Sequence, residues 1–335
     1  MVQRKSDSNV GIGGVSRTDD TTHAYLKRGL QLWKRAAKET AHNPDNLKPK
    51  AFLAWLENLL LILMPASKRQ YIASTKAYLA DMLKHANEAD LSELNDAIAY
   101  ITKMKAPNYN ADEYDHTPWR GNTSSQKSKQ CSDGFIASMV IEARNVRGKW
   151  VKDAVLWMVT NRLVGLRPSE WRTATLIELN GQQILIVNNG KHSNERANGP
   201  VRHLNVTALE AVELGLIKLL LKAVAIYAID DKDWHDFYTG SRKAVHRVAR
   251  KILGSQRKYP SLYSTRHQFS ADAKSAGMSK EVVAALMGHA TDETAGIHYC
   301  LKKNGRGSCR VKPDSSEVAT VRIKAPKLSN VITRI

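Results

Sequence analysis

Ala106 to Gly134 read APNYNADEYDHTPWRGNTSSQKSKQCSDG, a run full of turn formers and almost without aliphatic side chains. A stretch this long and polar cannot cross a core, because it buries too little apolar surface to offset the entropy lost on ordering. It reads as a linker at 106–134, with a folded unit on either side. At 335 residues the chain is long enough for each unit to hold a core of its own. Residues 1–20, polar and glycine-rich, read as a disordered arm.

Residues 21–105 carry a helical periodicity throughout. In the first helix Leu26, Leu30, Trp33 and Ala37 are expected to form the buried stripe, leaving Lys27, Arg28, Lys34, Arg35 and Lys38 outside it. Phe52 to Met64 predicts a second helix stopped by Pro65. A third starts after Ser67, with Ile72, Leu79 and Leu83 inward and Lys68, Arg69 and Lys76 toward solvent. The fourth opens at Asp90, where Asp90 and Glu93 match the D-x-x-E capping pattern. A basic face on one helix is ordinary solvated surface. Its recurrence on several marks this module as a candidate DNA-binding domain.

Beyond the linker, helical patterns resume at Phe135–Asn145 and Trp150–Leu163. Gln183–Val187 and Val201–Val206 then read as strands around NNGKHSNERANGP, a long hairpin connection, and helices dominate to about residue 287. The fold class expected is α+β, mainly α with a small β-hairpin or sheet. Residues 302–335 hold nine Lys/Arg against two acids and include a strand-like VATVRI, Val318 to Ile323.

Lys and Arg number 51 against 32 Asp and Glu, a formal net charge of +19. That surplus favours a polyanionic partner, nucleic acid first. A membrane is disfavoured: the most apolar run, Ala51 to Pro65, is short and contains Glu57 and Asn58. The N-terminus lacks the apolar core of a signal peptide, and Cys131, Cys300 and Cys309 show no metal or disulfide spacing. A reducing, cytoplasmic location is expected, with no metal site.

Four segments carry chemistry. GLRPSEW, Gly165 to Trp171, sets Arg167 three residues before Glu170, a spacing that lets the carboxylate hold the guanidinium. Lys191 lies in the hairpin connection. Tyr263-Ser-Thr-Arg266 precedes His267. In LMGHATDETAGIHY, after a short helix capped by Ser279, Gly288 stops the chain's helical path, His289 follows, and Tyr299, read as exposed, lies ten positions on. Taken singly, each is more readily a surface pair, a loop lysine, a helix cap or a packing tyrosine.

The order Arg…Lys…Tyr-x-x-Arg…His…Tyr resembles the tyrosine recombinase (phage integrase) family from Phe135 to Tyr299, and residues 21–105 resemble its core-binding domain. GLRPSEW, RHQFSADAKSAG and LMGHA are the most specific pieces. The resemblance implies a catalytic domain at 135–301 that cuts and rejoins DNA through a 3′-phosphotyrosyl bond. Arg167 and Arg266 would clamp the non-bridging oxygens with His289 as a third donor. Tyr299 would be the nucleophile and Lys191 the general acid, with no cofactor. Two arginines suit that task because they stay charged and bind phosphate oxygens bidentately. The family usually has histidine where this chain has Tyr263, and tyrosine there is a feature of telomere resolvases, which make hairpin ends.

Implied partners are double-stranded DNA with a specific site, three further copies of the chain in a synaptic tetramer, and accessory DNA-bending proteins. The tail 302–335 is expected to dock on a neighbouring protomer. A type IB topoisomerase, a telomere resolvase and a non-catalytic DNA-binding regulator stay open as alternatives. Relaxation of plasmid lacking a specific site marks the first, and indifference to Arg167, Arg266, His289 and Tyr299 marks the last.

Overall fold

The computed structural model describes residues 19–63, 65–104, 127–190, 197–256, 258–294, 296 and 299–323. The expectations for the arm to residue 18, for 105–126, for Lys191 and for 324–335 lie outside these. The chain divides into two units, Met1–Trp119 and Arg120–Ile335.

The first unit is four helices: α1 (Asp19–Glu39), α2 (Pro49–Leu61), α3 (Pro65–Lys84) and α4 (Glu88–Lys103). Pro49 opens α2, where its missing N–H costs nothing. Pro65 likewise begins α3 rather than simply stopping its predecessor. Helix α4 starts at Glu88 with Asn87 as N-cap, so Asp90 lies within its first turn, 3.7 Å from Lys48, and does not cap it.

The buried stripe of α1 also differs from the expected one. Gly29 packs on Ser74 and Tyr78 of α3, where a Cβ would overlap the Tyr78 side chain. That close approach centres the seam on Gly29, Leu32, Trp33, Ala36 and Ala37 and leaves Leu30 38% exposed. With Phe52, Leu56, Leu79 and Ile101 these residues make the core of this unit.

In the second unit, α5 (Asp133–Glu142) begins inside the expected linker, with the Ser132 hydroxyl accepting from Phe135 N. Residues 127–132 are also tied to this unit. Ser128 N donates to Tyr259 O (3.1 Å) and Cys131 N to Gln268 Oε1 (3.2 Å). Helix α6 (Val151–Val164) is buried on most sides and central to the core. Trp157 stacks on Phe237 there with ring centroids 5.3 Å apart.

The sheet is antiparallel, ordered β1 (Thr175–Leu179), β2 (Gln182–Asn188), β3 (Val201–Asn205), β4 (Lys312–Pro313). Strand β1 was not anticipated. It joins β2 through Asn180-Gly181, both at positive φ (50° and 73°), the two-residue turn that matches strand twist. Helices α7 (Ala211–Ala228), α8 (Asp231–Leu253), α9 (Leu262–Ser275) and α10 (Lys280–Leu286) follow. The α+β class, mainly helical with a small sheet, is what the chain adopts.

The tail departs from expectation. Val318 and Ala319 are helical, in α11 (Ser315–Ala319), because Asp314 caps Ser316 N at 2.8 Å. Of VATVRI only Arg322 forms a bridge, with Thr291. Residues 302–323 pack on their own unit. Arg306 pairs with Asp272 at 2.7 Å, β4 extends the sheet, and Asn198 Nδ2 donates to Glu317 O at 2.6 Å.

Candidate active site

Helix α6 ends at Gly165 in the left-handed region (φ 66°), its N–H donating to Asn161 O at 2.8 Å. A Cβ there would overlap the Phe269 ring of α9, so glycine both turns the chain and admits the neighbouring helix. The turn delivers Arg167 to the N-cap of the 3₁₀ segment Pro168–Thr173. Glu170 accepts from Arg167 N (2.7 Å) and from Arg167 Nη1 (2.5 Å).

Arg266, on α9, is fully buried. It donates through Nη1 to Gly165 O (2.6 Å), through Nη2 to Met287 O (2.5 Å) and through Nε to Tyr299 Oη (3.1 Å). Its Nη1 is also 3.6 Å from Glu170 Oε2. The turn after α10 is a Schellman motif. Gly288 N (φ 60°) donates to Ala285 O and His289 N to Ala284 O. His289 Nε2 lies 3.3 Å from Tyr299 Oη, while its Nδ1 is buried without a partner. Tyr263 Oη is 3.1 Å from the same hydroxyl. Tyr299 is therefore not exposed, as read from sequence, but 7% exposed, because Arg266, His289, Tyr263 and the His267 ring (centroids 4.9 Å apart) close over it.

Thus Arg167, Glu170, Tyr263, Arg266, His289 and Tyr299 converge. Lys191 lies outside the described residues; its neighbour Gly190 donates from N to Glu170 Oε1 at 3.3 Å. A seventh member of the cluster, Arg202, was not among the expected site residues. Arg202 of β3, 1% exposed, donates from Nη2 to Glu170 Oε2 at 2.7 Å. Its signal was present in the strand pattern. Arg202, Leu204 and Val206 alternate along one face, and all three are buried.

Three guanidiniums thus face one carboxylate, leaving two positive charges in surplus among the described residues. Burial opposes ionisation of Glu170, yet Arg202, Arg266 and Arg167 together hold its carboxyl far below the usual range. Burial pushes the His289 imidazole down to about 2, reinforced by Arg266, Arg167 and Arg202, so it is neutral at pH 7. Burial and then Lys129 and Arg266 bring His267 down to about 4.

The two phenols are driven apart. Burial raises Tyr263 above the ordinary tyrosine value. Burial also acts against ionisation of Tyr299, but Arg266 and the hydrogen bonds from Tyr263 and Arg266 outweigh it and bring Tyr299 below that value. A pair split this way assigns roles. Of the two, Tyr299 ionises the more readily, and Tyr263 is held toward its protonated form.

In the helical unit, Lys27, Lys34, Arg35 and Arg69 are exposed and Arg28 and Lys76 are half-buried. Arg35 pairs with Glu39 at 2.7 Å. Lys68 is a correction: it is 4% exposed, since 68, 72, 75 and 79 form the inward stripe of α3.

No protein-family model matches the chain and no curated protein is similar to it in sequence. Solved structures it is similar to include site-specific recombinases and integrases. Against XerH site-specific recombinase bound to palindromic difH substrate, the identity is 12% and the TM-score 0.45, over 81% of this chain and 74% of that one. A lambda integrase dimer bound to a COC′ core site gives 14% and 0.43, over 84% and 88%. The Tn1549 transposon integrase with circular intermediate DNA gives 12% and 0.39, over 81% and 95%.

Proposed function

We propose that this chain is a site-specific DNA recombinase. The observation that carries the reading is the surplus of two buried positive charges around a tyrosine hydroxyl. Such charge is costly to hold in a low-dielectric site unless an anion joins it, and the pentacoordinate intermediate of a phosphodiester supplies that anion. Each guanidinium carries five donors, so Arg167 and Arg266 retain N–H groups beyond those already engaged.

Tyr299 gives up its phenolic proton to solvent water, and its Oη attacks phosphorus, forming the O–P bond of a 3′-phosphotyrosyl ester as the P–O5′ bond breaks. The 5′-oxygen leaves with a proton supplied by Lys191, which regains one when the reaction reverses. Arg167 and Arg266 bind the non-bridging oxygens, neutral His289 contributes one donor, and Tyr263 holds the phenolate until it attacks. Because the ester energy is kept in the covalent link, rejoining needs no ATP. On this reading residues 21–105 grip the duplex, four protomers assemble on two synapsed sites, and the chain works at the nucleoid, with DNA-bending proteins as accessories.

The test is capture of covalent adducts between the full chain and DNA flanking its own gene, followed by peptide mapping. Adducts at Tyr299, lost in Tyr299→Phe while DNA affinity is kept, are expected. Adducts that survive Tyr299→Phe, or none on any fragment, would sink the proposal.

A further inference from the structure

Arg202 is the one member of the charge cluster for which neither clamp nor nucleophile has a use. It is inaccessible, and its Nε is buried with no hydrogen-bond partner. A buried guanidinium with an orphaned donor adds little to stability, and an apolar side chain of similar volume often serves a fold as well or better. Something other than stability accounts for it.

Its two arms indicate what. Nη2 donates to Glu170 Oε2, the oxygen that also accepts from Arg167 N. Nη1 donates to Asn189 Oδ1, and Asn189 Nδ2 in turn holds Asn198 O (3.2 Å) and Gly199 O (3.0 Å), while Asn189 N holds Pro200 O (2.7 Å). The same carboxamide and guanidinium lie against Gly288, where a Cβ would overlap Asn189 Oδ1 and reach within 2.9 Å of Arg202 Nη1. One side chain therefore touches the carboxylate that orients Arg167, the residues that close β2 on β3, and the turn that carries His289.

We infer that Arg202 is a positioning residue, resting on the recombinase reading above. It fixes the rotamer of Glu170 so that this carboxylate orients Arg167 without capturing all its donors, and it sets the β2–β3 closure against the Gly288–His289 turn. A misplacement of about 1 Å at a reacting centre can cost on the order of 10²-fold in rate.

The experiment uses the full chain and a DNA fragment on which the unsubstituted protein forms adducts, with cleavage measured in a single turnover at saturating protein beside DNA affinity and urea unfolding. Arg202→Met is expected to cut cleavage by about 10²-fold, with affinity and unfolding midpoint nearly unchanged. Arg202→Lys, able to reach only one acceptor, should fall between. In a Glu170→Gln background the same Met substitution should cost only a few-fold, since its main partner is already altered. A full-sized loss in that background, or an Arg202→Met protein that is less stable but cleaves normally per bound molecule, overturns the proposal. If Arg202→Met does not fold, wild-type rates for both Arg202→Lys and Asn189→Ala overturn it instead. Absence of any adduct from the unsubstituted protein overturns the recombinase reading and this proposal together, whereas adducts indifferent to Arg202 overturn this proposal alone.

Discussion

Tyr263 decides the most at the scale of single residues. It sits one hydrogen bond from Tyr299, is pushed toward staying protonated, and cannot serve as a base near neutral pH. Tyr263→Phe deletes one donor to the phenolate, and a hydrogen bond to a charged group is worth about 1.5–3 kcal/mol. Cleavage should fall roughly 10–100-fold, the same energy expressed as a rate, and its pH optimum should rise, because Tyr299 ionises less readily. Single-turnover rates across pH would show it; wild-type kinetics would make Tyr263 a packing residue. Tyr263→His should stay active. The buried histidines give a stability prediction. Folded His267 and His289 bind protons only near pH 4 and pH 2, whereas unfolded they titrate near 6.5. As pH falls below about 6.5 the unfolded chain therefore binds more protons, and stability falls with it. The urea midpoint should drop most steeply between pH 6.5 and about 4, and His267→Asn should flatten that slope.

Among the elements, the turns that end α6 and α10 carry the site. Gly288→Ala forces a left-handed residue to hold a Cβ, a cost of roughly 1–2 kcal/mol, and drives that Cβ into the Asn189 carboxamide. Lower stability and slower cleavage are both expected, by urea unfolding and adduct kinetics, with DNA affinity kept. The hairpin of β1 and β2 is legible in the sequence, because Asn180-Gly181 between alternating apolar runs is the strongest short-range hairpin signal. In α1 Trp33 and Ala37 lie on the buried stripe as expected, while Leu30 gives way to Gly29, whose contact with α3 an apolar pattern does not register. The glycine's small size is what brought α3 closest.

At the scale of the whole molecule, a chain beginning at Arg120 retains Ser128 and Cys131, which hydrogen-bond within the second unit, and loses the helical unit. If residues 21–105 neutralise phosphates, this shorter chain should bind DNA more weakly and with a shallower dependence on salt. Titrations at several ionic strengths measure both, and unchanged affinity and slope would give the helical unit another purpose. No described helix is long and apolar enough to cross a membrane. The surplus positive charge and the buried surplus around Tyr299 act at different ranges. The first concentrates a polyanion near the surface, and the second acts on one phosphate.

The sequence by itself determined the helical periods of α2 and α6, the strand periods of β2 and β3, the glycine that follows α10 and the order in which Arg167, Tyr263, Arg266, His289 and Tyr299 occur, because each is read from neighbouring residues or from their order along the chain. Tertiary structure alone decided that Arg202 joins them, that Lys68 turns inward, that residues 302–323 pack on their own unit, and that Tyr263 and Tyr299 share a hydrogen bond. The physical reason is distance along the chain. Arg266 meets Gly165 O from 101 positions away, and Glu170 meets Arg202 from 32. A local pattern fixes the face on which a side chain lies, while the charges it will meet there are fixed only when the chain closes.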